Sequence, residues 1–380
     1  MDFNLNEQQL MLREMVRDFA KAEVAPIAQE IDETERFPCE IVGKMGELGL
    51  LGVNFPEKYG GTAAGVLSHV IVLEELAVVE PTVAGIVDQD VSLAGYLLNH
   101  FGNEEQKQTW LVPLIQGKIL GGFGLTEPEA GSDAAAITTT AILDRDSWII
   151  NGTKAFISNA GTDISALVLL AVVTGQRGDG RKEFSNIIVP KGTPGYNLGP
   201  CYRKFGLHAM DTRELSFVDC RVPAGNILGE RGAGYRQMLS TLDEARIALA
   251  AIATGLAQGC LNASLNYAKE RVQFGRPIFG FQAIQFKLVD MAVGVEASRL
   301  LTYKAAALED EGKTFAQESA MAKLFASENA TKAAEEAVQI HGGYGYISDF
   351  AVSRFYTAAK LFTIVEGTSE VQRTVIARGL

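Results

Sequence analysis

Residues 361–373, LFTIVEGTSEVQR, set a single carboxylate, Glu366, between an apolar run and the small-residue turn Gly367-Thr368-Ser369. Apolar neighbours strip solvation from a charged carboxyl, which raises its pKa and makes it a better proton acceptor near neutrality. Ser369 and Gln372 have the Ser-x-x-Gln spacing of a capping box, which predicts a last helix starting there. The free N–H groups of such a helix start suit a thioester oxygen or a phosphate. Charged residues at helix starts are more often simply solvated, so this stretch alone does not identify a base.

Other stretches carry groups that hold ligands. Residues 123–133, FGLTEPEAGSD, and 151–161, NGTKAFISNAG, are small-residue loops whose backbone amides suit a flat heterocycle or a phosphate. Residues 270–282, ERVQFGRPIFGFQ, set Arg271 and Arg276 around a Phe-Gly turn, the best diphosphate ligands in an acidic chain. Residues 339–346, QIHGGYGY, form a Gly-rich turn after a helix, where His341 is better read as a packed core histidine than as a ligand. Residues 83–98, VAGIVDQDVSLAGYLL, are apolar helix material that nevertheless carries Asp88 and Asp90.

The elements that must position these groups fall into three textures. Residues 1–120 read as helical: Leu12, Met15, Val16 and Phe19 repeat at helical spacing before Pro26, as do Val72, Leu73, Leu76 and Val79 before Pro81. Residues 121–232 hold short β-branched or aromatic runs at 138–141, 148–150, 166–173, 184–189 and 215–218, with a polar hairpin at 175–183, and predict an antiparallel β domain. Residues 233–380 return to Ala-rich helices, with apolar faces at Ile284, Leu288, Met291, Val295 and at Met321, Leu324, Phe325. Gly255, Gly259 and Gly294 favour close packing, including between subunits. The fold class is therefore α+β multidomain: an N-terminal helical domain, a middle antiparallel β domain and a C-terminal four-helix-bundle-like domain.

Composition narrows the function. Of 380 residues, 47% are hydrophobic and 21% charged, which is a globular balance. A net charge of −12 argues against nucleic acid or an anionic membrane as the main partner. The four cysteines form no CxxC pair and read as reduced thiols, and the four histidines have no metal-ligand spacing, so no metal is expected. No apolar run approaches the ~20 residues of a membrane span. The start, MDFNLNEQQL, lacks signal or transit character. A cytoplasmic protein of bacterial type is expected, a mature organellar form being the alternative.

In order along the chain, PEKYGG, EELA, TEPEAGSD, NGTKAFISNA, LDEAR, ERVQFGRPI, QIHGGYGY and VEGTSEVQR resemble the motifs of the acyl-CoA dehydrogenase family over essentially the full length. The resemblance implies the three-domain fold of that family, FAD, an acyl-CoA thioester substrate, electron transfer flavoprotein as oxidant and a homotetramer. It implies that Glu366 removes the α-proton while the β-hydrogen leaves as hydride, and that the Glu366 N–H helps polarise the thioester carbonyl. By motif match, Phe123, Leu125, Thr126, Gly131, Ser132, Phe156, Ile157 and Ser158 would hold the flavin ring and nearby groups. Arg271, Phe274, Gln282, Gln339, Ile340, Gly342, Gly343, Thr368 and Glu370 would complete the FAD site, partly across a subunit interface. Ser132, Asp243, Arg246 and Gly367 would contact the acyl-CoA.

Three features depart from the family pattern. Some members carry the base on the LDEAR helix; here that position is Ala245, and Glu244 lies one residue away, about 100° around a helix. Phe156 stands where many relatives have Trp. Asp88 and Asp90 lie on the helix that lines the acyl pocket in the family, where a plain fatty chain would find a buried carboxylate unfavourable. One of them, Asp90 before Asp88, is expected either to pair elsewhere or to act as a second base on an alicyclic acyl-CoA. The competing functions are an acyl-CoA oxidase and, in a different class, a catalytically silent flavin-binding relative that binds nucleic acid or assists assembly.

Overall fold

Asn6 opens the first helix of a computed structural model that describes residues 5–380. Its side chain accepts the Gln9 N–H while the Gln9 side chain accepts the Asn6 N–H, a full capping box at the head of α1 (Glu7–Phe19). Pro26 does not end the helical path. A π-helical turn (Ala20–Val24) and a 3₁₀ turn (Ala25–Ile27) carry it into α2 (Ala28–Thr34), and α3 (Cys39–Glu47) follows. In α4 (Val66–Val79) residues 68–77 are all buried, as befits a helix apolar all round. The two acids of its EELA motif are paired with other helices. Glu74 accepts from Arg299 and Tyr303, and Glu75 from Arg17.

Pro81 then starts α5 (Pro81–Asp88), which runs through a π-helical turn (Gln89–Gly95) into α6 (Tyr96–Phe101), with short α7 (Glu104–Gln106) and α8 (Val112–Ile115) behind it. The π turn is where Asp90 and Ser92 sit. Such turns recur at functional sites because they re-aim the side chains they carry.

Seven strands make one sheet: β1 (Leu120–Gly124), β2 (Thr140–Asp144), β3 (Ser147–Ser158), β4 (Ser165–Gln176), β5 (Lys182–Pro190), β6 (Tyr196–Cys201) and β7 (Thr212–Pro223), in the order β1-β4-β2-β3-β7-β6 with β5 on β4. Pairing is antiparallel except that β1, and the single Thr140–Val173 bridge, run parallel to β4. Alternation along β4 divides the core, as a two-residue period requires. Val168, Leu170 and Val172 join Trp148 and Phe217 on one face, whereas Leu167, Leu169 and Ala171 join the helical core on the other. The sequence runs miss β1 and β6. LGGFG lacks β-branched residues because β1 is pressed against neighbours: a Cβ at Gly121 would lie 2.8 Å from Ala94 Cβ, and one at Gly124 would lie 2.5 Å from Leu170.

A β8–β9 hairpin (Val272–Gln273 and Arg276–Pro277) separates the first two long C-terminal helices, α9 (Gly234–Glu270) and α10 (Gln282–Asp310). They are followed by α11 (Ala316–His341), α12 (Ala351–Leu361) and α13 (Ser369–Ala377). α9 is long and apolar enough to cross a membrane, but 78% of its apolar window is buried in the core. Leu288, Met291 and Val295 are buried on α10 as their spacing predicts. On α11 the expected face is wrong. Phe325 is exposed and Met321 and Leu324 only half-buried, while Ala322, Ala326, Ala330, Ala333 and Ala337 form the core side. Small residues win there because α11 lies close against α9.

Gly255, Gly259 and Gly294 are all used inside the chain. A Cβ on Gly255 would meet the Glu74 carbonyl oxygen at 2.2 Å, one on Gly259 the Val78 carbonyl oxygen at 2.5 Å, and one on Gly294 the Asn329 side chain at 2.1 Å. The first two contacts let α9 lie against α4 backbone to backbone. Gly255→Ala should therefore destabilise by about 1–3 kcal/mol although alanine is the better helix former. A thermal or denaturant midpoint at or above wild type would show that the helices can part without cost.

Candidate active site

After α12 the chain turns sharply. Glu366 sits at φ +56° and Gly367 at φ +96° before α13 begins. Holding a non-glycine residue at positive φ costs on the order of 1–3 kcal/mol, so the turn needs support. Four hydrogen bonds supply it. Gln372 Nε2 donates to the carbonyls of Glu366 (3.0 Å) and Gly367 (2.8 Å), Arg246 Nε to that of Glu366 (3.3 Å), and Lys323 Nζ to that of Gly367 (2.7 Å). The predicted capping box is corrected accordingly. Thr368, not Ser369, caps α13 by accepting the Val371 N–H at 3.3 Å, because Gln372 is turned back onto the preceding carbonyls. The Glu366 N–H has no acceptor among the described residues.

Glu366 as a residue is half-buried, but both carboxylate oxygens are shut off from solvent and accept no N–H or hydroxyl among the described residues. Burial holds its pKa well above the ordinary glutamate range, and the neighbouring Asp88 and Glu244 push it further up, while Lys323 pulls it down. Asp88, 2% exposed at the end of α5, is within hydrogen-bonding reach of Glu366, so the two carboxyls can share a proton. Burial raises Asp88 as well, offset in part by Glu366, Ser92 and Gln89. Glu244 is 1% exposed with one oxygen unpartnered, and burial together with Glu309 and Asp88 drives it up. Sequence spacing puts Glu244 a hundred degrees from the family's alternative base position, yet its charge reaches Glu366. Ala245 is fully buried.

Asp90 is placed differently from Asp88. Its Oδ1 accepts the Gly121 N–H at 2.8 Å, which ties the π turn to the start of β1, and its other oxygen is buried without a partner. On α9, Arg246 donates to Asp243 at 2.6 Å as well as to the Glu366 carbonyl, so the LDEAR motif braces the Glu366 turn.

The residues expected around a flavin fall into separate groups. Phe123 is buried at the end of β1, and the Ala155 N–H to Thr126 carbonyl bond of 2.9 Å brings Leu125 and Thr126 alongside Phe156, Ile157 and Ser158. Phe156 is held at φ +60° and is 65% exposed, and Ser158 Oγ lies 3.2 Å from Thr212 Oγ1. Gly131 and Ser132 are exposed nearby. The loop is fixed by a buried pair that sequence reading missed. Lys154 Nζ donates to Glu127 at 2.7 Å and to the Leu125 carbonyl at 3.1 Å, and Glu127 also accepts from the N–H groups of Thr138 and Thr139.

Arg271, Ile340, Gly342 and Gly343 meet in a cleft of about 580 Å³ beside Tyr267 and Tyr344. A Cβ on Gly342 or Gly343 would meet nothing within 4 Å, so backbone is open to a ligand there. An exposed guanidinium in the same cleft as open glycine backbone suits a diphosphate. His341 is the packed residue expected, its Nδ1 2.8 Å from the Ala337 carbonyl oxygen and its ring stacked on Tyr267. Gln339 and Gln282 are exposed, and Phe274, at the tip of the β8–β9 hairpin, is 94% exposed. Thr368 and Glu370 line a second hollow of about 350 Å³ with Lys360 and Glu328.

Three family descriptions match this chain: the acyl-CoA dehydrogenase N-terminal domain over residues 6–118, the middle domain over 122–220 and the C-terminal domain over 232–380. The chain is 50% identical over 380 residues to a probable acyl-CoA dehydrogenase, YngJ, of Bacillus subtilis, each covered over 100% of its length. It superposes with a TM-score of 0.96 on butyryl-CoA dehydrogenase from Megasphaera elsdenii, at 41% identity over 100% of this chain and 99% of that one. A chain from a structural study of the electron transferring flavoprotein of Acidaminococcus fermentans gives a TM-score of 0.96 at 44% identity, with 100% and 99% covered. The middle sheet flanked by two helical regions, the three domain matches and the full-length identity agree, and the chain belongs to the acyl-CoA dehydrogenase family, FAD-dependent oxidoreductases that act on CH–CH bonds.

Proposed function

We propose that this enzyme oxidises a short acyl-CoA thioester to its α,β-unsaturated product, with Glu366 as the base, and passes the electrons to an electron transfer flavoprotein. The observation that carries the reading is the dry, donorless carboxylate of Glu366 on a turn held by four side-chain hydrogen bonds. Likeness to butyryl-CoA dehydrogenase supports the short acyl chain, and likeness to a chain from the electron transferring flavoprotein study supports the acceptor. Bound FAD supplies the acceptor for the hydride that leaves Cβ.

The chain's own residues do the rest. Ionised Glu366 takes the α-proton in a site where no water competes for it. The unpartnered Glu366 N–H is the donor for the thioester oxygen, where charge builds as the α-proton leaves. Arg246 and Gln372 hold the Glu366 carbonyl, which fixes the direction of the N–H at the neighbouring peptide. Arg271, Gly342 and Gly343 would hold the FAD diphosphate, with Leu125, Thr126 and Phe156 beside the ring. Thr368 and Glu370 line a separate hollow, which fits a site completed by a second subunit of a homotetramer.

A second reading concerns the acyl group. Asp88, rather than Asp90, is the acid within reach of Glu366, so Asp88 is the candidate for a second base or for recognition of a polar or alicyclic acyl group. A plain straight chain gains nothing from that carboxyl.

Glu366→Gln should keep FAD and the fold but lose anaerobic bleaching by butyryl-CoA, by roughly 10²–10⁴-fold as for loss of a general base; bleaching at the wild-type rate would remove the assignment. Because only the ionised base works and its pKa is raised, the wild-type rate should fall with decreasing pH well above the ordinary glutamate pKa of about 4.3. Asp88→Asn removes a like charge, so the acid limb should move down by about one pH unit. The same variant, tested against straight and alicyclic thioesters, should change their relative rates if Asp88 reads the acyl group. An unchanged limb and unchanged ratios would leave Asp88 with no part in the reaction.

A further inference from the structure

Lys323 is fully buried in the middle of α11, with its exposure at 0%. A buried ammonium is costly unless it is paired, and the usual partner is a carboxylate at contact distance. Its hydrogen bond goes instead to a carbonyl, that of Gly367, at 2.7 Å. That carbonyl belongs to the residue after the base, in a turn where both residues sit at positive φ. A neutral amide would serve as a donor at less cost of burial, as Gln372 does on the same oxygen at 2.8 Å. The charge therefore has a use besides the hydrogen bond.

The surroundings show what the charge acts on. Facing Glu366 are Asp88 from α5, Glu244 and Arg246 from α9, and Lys323 from α11. Asp88 and Glu244 disfavour its ionised form, as burial does. Arg246 is shared with Asp243 at 2.6 Å, so its charge is already partly answered. Lys323 feels Glu366 first among the charges near it, then Arg246, Glu328 and Glu370, of which Glu370 is exposed at the start of α13 and Glu328 pairs with Arg373. Burial brings the Lys323 ammonium down to about 8, so it remains mainly charged at neutral pH.

We infer that Lys323 is a positioning residue for the base: its ammonium clamps the Gly367 carbonyl and, across the same turn, holds the Glu366 carboxyl in the ionised form that proton removal needs. The inference rests on Glu366 being that base. Two separate jobs follow, one met by any donor and one met only by a positive charge. Substitutions at this one position tell them apart.

The test uses the FAD-loaded enzyme and three variants: Lys323→Gln keeps a donor without charge, Lys323→Arg keeps the charge, and Lys323→Met keeps neither. FAD content and thermal midpoint report the fold. Two readouts follow against pH: anaerobic flavin reduction by butyryl-CoA, and exchange of the butyryl-CoA α-hydrogen with D₂O by NMR. Lys323→Gln should move the acid limb of both up by about one pH unit, the direction opposite to Asp88→Asn, as expected for losing an opposite charge. Lys323→Arg should restore the wild-type limb. Lys323→Met should show the Gln shift plus a lower rate at the plateau; if it does not hold FAD, the Gln and Arg pair decides. A wild-type limb in Lys323→Gln would overturn the inference and leave Lys323 as a structural donor. Glu366→Gln runs alongside: if it still exchanges the α-hydrogen, the base assignment itself has failed, whatever the Lys323 variants do.

Discussion

The turn at Glu366 keeps one carboxylate dry that, under the proposed function, must still ionise. These demands oppose each other, because burial alone favours the protonated acid. The chain adds to the difficulty by burying Asp88 and Glu244 within electrostatic reach of Glu366. It answers with positive charge delivered to the backbone of the turn rather than to the carboxylate. Arg246 and Lys323 each bond a carbonyl of the Glu366–Gly367 pair. A cation in direct contact with Glu366 would tie its carboxylate into a salt bridge, whereas one held a peptide away favours ionisation without bonding either oxygen.

The rest of the fold can be understood as what brings three helices to that turn. α9 carries Glu244 and Arg246, and it lies close to α4 because Gly255 and Gly259 have no Cβ to keep the backbones apart. α11 can bring Lys323 inward because its core side is alanine. α5 brings Asp88, and the π turn after it swings Asp90 away onto the Gly121 N–H. On the far side, Lys154 and Glu127 lock the loop after β1 against β3, so that Thr126 and Phe156 share one edge.

Much of this was legible from sequence where a local pattern carried it. Glu366 stood out because an apolar run ends at a small-residue turn, and the longer strands because β-branched residues cluster between turn residues. Cys39, Cys201, Cys220 and Cys260 are all free thiols, as their spacing suggested. What was not legible has a common cause: it depends on partners distant in sequence. Lys323 is bonded to a residue 44 positions away and Lys154 to one 27 away, and nothing near either lysine separates a buried from a solvated one. Bulk marks the wrong face of α11, because close helix approach selects alanine for the buried side. Gln372 was given to Ser369 as a cap because that spacing is common, although two unsatisfied carbonyls upstream were the stronger claim on its amide.

The acids themselves bear on stability. Glu366 and Glu244 have folded-state pKa values raised above their unfolded values, with burial as the first cause. Their contribution to folding is then fully present below the unfolded carboxyl pKa and is lost as pH rises through the folded value. At neutral pH the protein therefore works on the side where these carboxyls weaken it, by about 1.4 kcal/mol for each pKa unit traversed. A core of the same shape built from Gln and Leu would avoid that cost. Under the proposed function Glu366 has a chemical reason to stay, since the amide of a glutamine cannot take a proton from carbon, and Lys323 limits what its burial costs by favouring the charged form. Among the described residues Glu244 contacts no cation that would offset its charge, and it pushes Glu366 toward its protonated state.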